Sequence, residues 1–316
     1  MGLSESPPED RCLAWLNLLG VYPRNPNKWK ETRNEIKSSY ELFVNEFQMK
    51  DWTSRRFPPN IQKEAFKLPN NYLMGVIHGD IIRTGRHLFF LPPMEPQSPA
   101  EMEILSPFVL HMRRLERILY VFANVNRTLS YMQGFNELLP PLYFVMLQAA
   151  PLFDNDVDEI EAVSFKCLHQ LLTSTEVQEF YTTQDQSSII LHKLNDFQNL
   201  LVSHLPEVAE ICKGLAIHPL LYCYRWFNLL FAQEHELPNL LMVWDSLFSH
   251  IENLINYAFY LGLAHIKAIS EKLNPESFAD SIDALQNLKI PNVLSVLREA
   301  NRMWQADLAR NKQKKK

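Results

Sequence analysis

Apolar side chains recur at three- and four-residue steps along most of the chain, the period of a helix with one buried face. Trp15-Leu16 with Leu18-Leu19 predicts a short amphipathic helix that Gly20 ends, and Pro23, Pro26 and Asn27 predict the loop after it. Trp29, Ile36, Tyr40, Phe43 and Phe47 predict a helix over 28–47. Residues 50–71 are polar and broken by proline, and read as a surface connection. Leu110, Leu115, Ile118, Leu119 and Phe122 predict a helix over 106–124, after a proline-rich loop at 91–102. Gly134 marks the entry to an apolar helix, with Pro140-Pro141 near its first turn or kinking it. Further helices are predicted over 158–172, 187–201, 206–214, 219–233, 238–250, 251–270, 275–288 and 291–310, several with proline near the start, where its missing N–H costs little. Thr173-x-x-Glu176 has the spacing of a capping box.

No alternating run of strand length stands out and no fixed period repeats. The expected fold is therefore all-α, with two helical lobes divided in the polar stretch 173–187. The expected segments are a flexible start over 1–10, one lobe over 11–175, a second over 176–310 and a basic tail over 311–316.

Composition narrows the function classes. The 316 residues suffice for one large domain or two lobes, and 47% apolar with 21% charged residues is ordinary for a globular protein. The net charge of −5 argues against a general nucleic-acid binder. Cys12, Cys167, Cys212 and Cys223 lie in apolar contexts without a disulfide framework, and read as buried, reduced thiols. Met1–Arg11 is polar and does not read as a secretory leader, and the longest apolar run, 254–269, is interrupted by Asn256, His265 and Lys267. That run falls short of the ~18 clean residues of a membrane span. Cys167-Leu168-His169 lacks further ligands at zinc spacing, so no metal and no resident cofactor are expected. Arg113, Arg114 and Arg117 read as a positive, solvated helix face, open to an acidic partner.

Two segments carry candidate chemistry. One is Gly79-Asp80-Ile81-Ile82-Arg83-Thr84-Gly85; the other is Tyr131-Met132-Gln133-Gly134-Phe135-Asn136. Alone, Asp80 and Arg83 are an ordinary surface pair at i, i+3, and Gln133 an ordinary helix-entry glutamine. Together they place an arginine and a glutamine at junctions with helices. Asp80 can hold Arg83, Gly134 permits close backbone approach, and Asn136 adds an amide. Arginine neutralises charge on a transferring phosphoryl group and glutamine orients an attacking water, so the pair suits electrostatic catalysis on a phosphate that another protein brings. The chain has no Gly-x-x-x-x-Gly-Lys-Ser/Thr segment of its own.

In order along the chain, Arg11-x-x-x-Trp15, Ile77-x-x-Asp80-x-x-Arg83 and Tyr131-x-Gln133-Gly134 resemble the TBC domain, the family of GTPase-activating proteins for Rab GTPases. Arg225-Trp226-x-x-Leu229-Leu230-Phe231 and residues 240–248, with Trp244-Asp245, extend the resemblance over nearly the whole chain. The resemblance implies a two-lobed all-α fold, a cytoplasmic role in vesicle trafficking, and a Rab-family partner that carries GTP and Mg²⁺. It implies Arg83 as arginine finger and Gln133 as glutamine finger, with Asp80, Tyr131, Gly134 and Asn136 in support. Arg11, Trp15 and Ile77 would be structural, and Trp226 and Trp244 core. Two departures stand out: Phe135 replaces the usual methionine after Gln-Gly, and the 91–102 insert is long beside Arg83. The competing expectation is a non-catalytic helical scaffold that binds a small GTPase or another protein without accelerating hydrolysis.

At the ends, Met1-Gly2-Leu3-Ser4-Glu5-Ser6 fits the loose myristoylation pattern and Lys312, Lys314, Lys315 and Lys316 form a basic tail. Acylation of Gly2 with that tail would support peripheral membrane contact.

Overall fold

The computed structural model describes residues 6–58, 60–181 and 186–314, and among them every regular element is a helix. Gly2, Lys315 and Lys316 lie outside the described residues. The chain divides into two compact units, Glu5–Ser174 and Thr175–Lys316.

The first unit contains α1 (Pro8–Leu18), α2 (Trp29–Glu46), α3 (Asn71–Arg83), α4 (Gly85–Leu88), α5 (Val109–Val125), α6 (Phe135–Gln148) and α7 (Val157–Thr173). Helix already begins at Pro8, inside the stretch expected to be flexible; a proline in the first turn with Glu9 and Asp10 beside it suits a helix start. The Asn70 side chain accepts from Leu73 N (3.0 Å) to start α3, and Asp156 accepts from Asp158 N and Glu159 N to start α7. Thr173 is the last residue of α7, so no capping box forms there; Thr175 instead caps a following 3₁₀ turn, accepting from Val177 N.

α5 is buried along nearly its whole length and packs against α3, α6 and α7. The solvated arginine face expected on it does not exist, because Arg113, Arg114 and Arg117 all point inward. Each meets carboxylates. Arg113 pairs with Glu101 and with both oxygens of Glu116 (2.8 Å each). Arg114 donates to Asp158 and Glu161 (2.7 Å each), and Arg117 donates to both oxygens of Glu161 (2.6 and 2.7 Å). Tyr40 on α2 also donates to Glu161 (2.7 Å). Nor is 50–71 a mere surface connection. Trp52, Phe57, Phe66 and Leu68 are buried, and Trp52 Nε1 donates to Glu116 Oε2 (2.9 Å). Its polar sequence hid an aromatic cluster that closes over the Glu116 ion pair.

The second unit contains α8 (Gln186–His204), α9 (Pro206–Gly214), α10 (Tyr224–Asn228), α11 (Leu237–Phe248), α12 (Leu254–Ile269), α13 (Phe278–Gln286) and α14 (Val293–Lys314). The single helix predicted over 219–233 is instead a 3₁₀ turn followed by the five-residue α10. Leu230 and Phe231 take positive φ there, and the buried Leu230 carbonyl accepts from Trp244 Nε1 (2.8 Å). Trp226 and Trp244 are both fully buried. The apolar run 254–269 is α12, a core helix packed against α14, α8 and α11. No described helix is long and apolar enough to cross a membrane. Residues 311–314 of the basic tail continue α14. All four cysteines are buried and free.

Two expected outcomes follow from the buried charges. Glu161→Ala leaves Arg114 and Arg117 buried without their shared carboxylate, and should lower stability by about 3–5 kcal/mol in urea unfolding. Burial alone would raise the Glu116 carboxyl, yet Arg113 and His78 hold it below its usual value of 4.5. Its contribution is complete above that value and lost as pH falls through the lower folded-state value. Glu116→Gln should therefore flatten the loss of stability below about pH 4.5, read by urea unfolding across pH.

Candidate functional site

The two candidate segments meet in the first unit, where the C-terminal end of α3 lies beside the turn that leads into α6. Burial of Met74, Ile77 and Ile81 fixes one face of α3 to the core. Asp80 and Arg83 fall on the adjacent face, one turn apart. They are not a plain surface pair: the Asp80 side chain is 4% exposed and that of Arg83 68%. Asp80 Oδ1 accepts from Arg83 Nη2. The anchoring carboxylate is thus buried while the guanidinium reaches into solvent. A guanidinium has five N–H donors, so this contact leaves most of them free for an anion.

The second segment is set by the end of α5. Asn126 Nδ2 donates to Phe122 O (3.0 Å), and Ser130 takes the left-handed conformation while its N–H donates to Asn126 O (2.6 Å). The chain then runs through Tyr131 to Gly134, which starts α6 at φ +113°, a conformation that disfavours any side chain. Gln133 is exposed immediately before that turn.

Asp80 joins the two segments. Tyr131 OH donates to Asp80 Oδ2 (2.7 Å). Burial, and then the hydrogen bond to Asp80, push the Tyr131 hydroxyl well above its usual range, so it remains a donor at neutral pH. Asn136 closes the network: its Oδ1 accepts from Gly134 N (3.0 Å) and its Nδ2 donates to Thr84 Oγ1 (2.8 Å). Thr84 Oγ1 in turn donates to Asp80 O (2.9 Å). Hydrogen bonds to charged groups contribute roughly 1.5–3 kcal/mol each, enough to hold one arrangement of the two loops.

Phe135, the departure after Gln-Gly, is fully buried with its ring edge-on to Phe122 (5.6 Å) and Tyr131 (5.9 Å). It supports Tyr131 from beneath. Pro140 and Pro141 lie inside α6 beyond its first turn, and the helix runs unbroken through them to Gln148. They remove the donors that would pair with the Asn136 and Glu137 carbonyls.

The remaining residues singled out in the sequence are buried or half-buried. Ile77 is fully buried on α3, and Trp15 is fully buried on α1 with Arg11 half-buried one turn before it. α1 packs on α6, where Cys12 Sγ meets Met146 Sδ (3.4 Å). Thr84 and the buried pair of Glu137 and His87 escaped sequence reasoning. Glu137 Oε2 lies 3.2 Å from His87 Nε2 without the alignment of a hydrogen bond. Thr84 follows Arg83 directly and carried no signal until Asn136 was placed beside it. Among the described residues no group of three His, Cys, Asp or Glu side chains could hold a metal ion.

Known proteins share this architecture. The chain resembles the human TBC1 domain family member 13, 28% identical over 209 residues, or 66% of this chain and 52% of that protein. It also resembles the Schizosaccharomyces pombe GTPase-activating protein gyp1, 23% identical over 295 residues, covering 89% of this chain and 51% of that one. The chain spans about half the length of these relatives. The crystal structure of the Ypt/Rab-GAP domain of Gyp1p superposes with a TM-score of 0.73 at 21% identity, covering 96% of this chain and 90% of that domain. The Chlamydomonas flagellar RabGAP TBC domain superposes at 0.57 with 16% identity, covering 94% and 80%. The profile of the Rab-GTPase-TBC domain matches residues 108–274, a span that holds Gln133 and begins after Arg83. With more than half of its length in that match, the chain belongs to the Rab-GTPase-TBC domain family.

Proposed function

We propose that this chain accelerates GTP hydrolysis by a Rab-family small GTPase, lending Arg83 and Gln133 to the partner's active site. The observation that carries the reading is Asp80: one buried carboxylate holds both Arg83 and Tyr131, so the exposed arginine and the exposed glutamine are presented from one braced edge. Family membership supports the partner class, and the name of the gyp1 relative supports the activity.

Phosphoryl transfer needs little covalent help from protein; it needs a positioned water and neutralised charge. The GTPase supplies GTP and its Mg²⁺. Arg83 covers phosphate oxygens as negative charge develops, with Asp80 limiting the swing of the guanidinium. Gln133 hydrogen-bonds the attacking water in place of the GTPase's own switch glutamine. The rigid hydrogen-bond ring through Thr84, Asn136 and Gly134 N–H means little reorganisation is needed when the partner docks.

The test is multiple-turnover hydrolysis by a panel of Rab GTPases with catalytic amounts of this protein. Arg83→Ala should cost about 10³-fold or more in activation, and Gln133→Ala about 10²-fold or more, with the fold intact by circular dichroism. Asn136→Ala should lower both activation and stability, the latter by about 1–3 kcal/mol, because Gly134 N–H and Thr84 lose a buried partner. Binding of a Rab without acceleration by the wild-type protein would move the chain to the scaffold reading.

A further inference from the structure

The long 91–102 segment is pinned down against Arg56 and the residues that lead into α5. Met94 N and Glu95 N both donate to Pro107 O (2.9 and 3.2 Å), and Glu95 pairs with Arg56. His111 Nε2 donates to Pro92 O (3.0 Å) while its Nδ1 accepts from Tyr143 OH (2.9 Å). Burial lowers the His111 imidazole to about 4, which keeps it in this neutral, singly donating form. The Phe89 ring stands edge-on to Phe108 (5.7 Å). Leu105 N and Ser106 N donate back to Met102 O (2.9 and 3.0 Å).

This bracing holds apolar side chains outward. Phe89, Phe90, Met94, Met102 and Ile104 are all exposed, Ile104 by 61%. In the rest of the first unit, exposed large apolar side chains among the described residues are scattered singly, such as Leu42 and Tyr72. A clustered, rigid apolar surface at this density marks a contact site. We infer that it is a docking shelf for the GTPase beside its phosphates. This rests on the function proposed above.

Distance and charge select that occupant. Phe89 Cε2 lies 3.8 Å from the position a Cβ on Gly85 would take. Gly85 is two Cα steps of about 3.8 Å from Arg83, so the Phe89 ring edge lies within about 13 Å of the Arg83 Cα. A standard interface covers about 800 Å² on each partner, a disc of about 16 Å radius. A GTPase whose phosphates meet Arg83 therefore has Phe89, the near edge of the shelf, within reach of its footprint. Arg83 and Arg86 make the edge nearest the shelf cationic and exposed, matching a partner that brings phosphate next to an apolar face.

The experiment is steady-state GTP hydrolysis by the Rab panel with the full chain as wild type, Met94→Glu, Ile104→Glu, Leu42→Glu and Arg83→Ala. Thermal unfolding checks that each variant is folded. For every GTPase activated by wild type, the two shelf variants should raise KM by about tenfold or more with kcat retained, while Leu42→Glu leaves both unchanged. Arg83→Ala should lose kcat. A KM within about twofold of wild type in both shelf variants overturns the shelf while leaving the finger reading intact. Loss of binding to phosphatidylserine vesicles with KM unchanged also overturns it, assigning the surface to lipid. Neither acceleration nor binding of any GTPase by wild type overturns the proposed function and the shelf with it.

Discussion

The first unit is organised around the need to neutralise charge inside α5. Three arginines and a glutamate on this buried helix have no water to solvate them, and an unpaired buried charge costs several kcal/mol. Their partners come from the segment before α5 (Glu101) and from α7 (Glu161, with the less buried Asp158), while Tyr40 on α2 and Trp52 and His78 complete the remaining bonds. A shift of any of these elements would strand a charge, so the ionic network selects one packing among those that apolar burial alone would allow. Hydrophobic contact supplies the driving force; the paired charges specify the register.

The site inherits that specificity. α3 packs on α5, and its Asp80 faces the turn by which the chain leaves α5 for α6. Because both segments are positioned against the same helix, a single carboxylate bridges them. The result is a division of labour between neighbouring residues: Asp80, Thr84, Tyr131 and Asn136 are buried or half-buried and mutually satisfied, while Arg83 and Gln133 project. Phe135 belongs to the same support, replacing a flexible side chain with a rigid ring under Tyr131. That rigidity matters for electrostatic catalysis, whose benefit depends on groups that do not have to reorient during the reaction.

Periodicity made most helices legible, because a helix half sunk in a core writes its buried face into the sequence every three or four residues. It failed where burial was complete or the burying residues were polar. Arg113, Arg114 and Arg117 share a helix face, and only the distant Glu101 and Glu161 reveal that the face is internal. Residues 50–71 conceal Trp52, Phe57 and Phe66 among charged neighbours at no regular period. The stretch 219–233 is helical in pattern, but the Leu230 carbonyl is needed by Trp244, a tertiary demand invisible to local spacing. At the site, the residue types and order pointed to Arg83 and Gln133, whereas the Thr84 hydroxyl and the sharing of Asp80 depend on two segments some fifty residues apart being brought together.

The proposed role of Gln133 is to act on the water in trans. It is tested most directly by single-turnover GTP hydrolysis in a Rab GTPase whose own switch glutamine has been replaced by alanine. The wild-type protein should still accelerate this crippled GTPase, and the Gln133→Ala protein should not. Acceleration that disappears with the GTPase's own glutamine and is indifferent to Gln133 would contradict it.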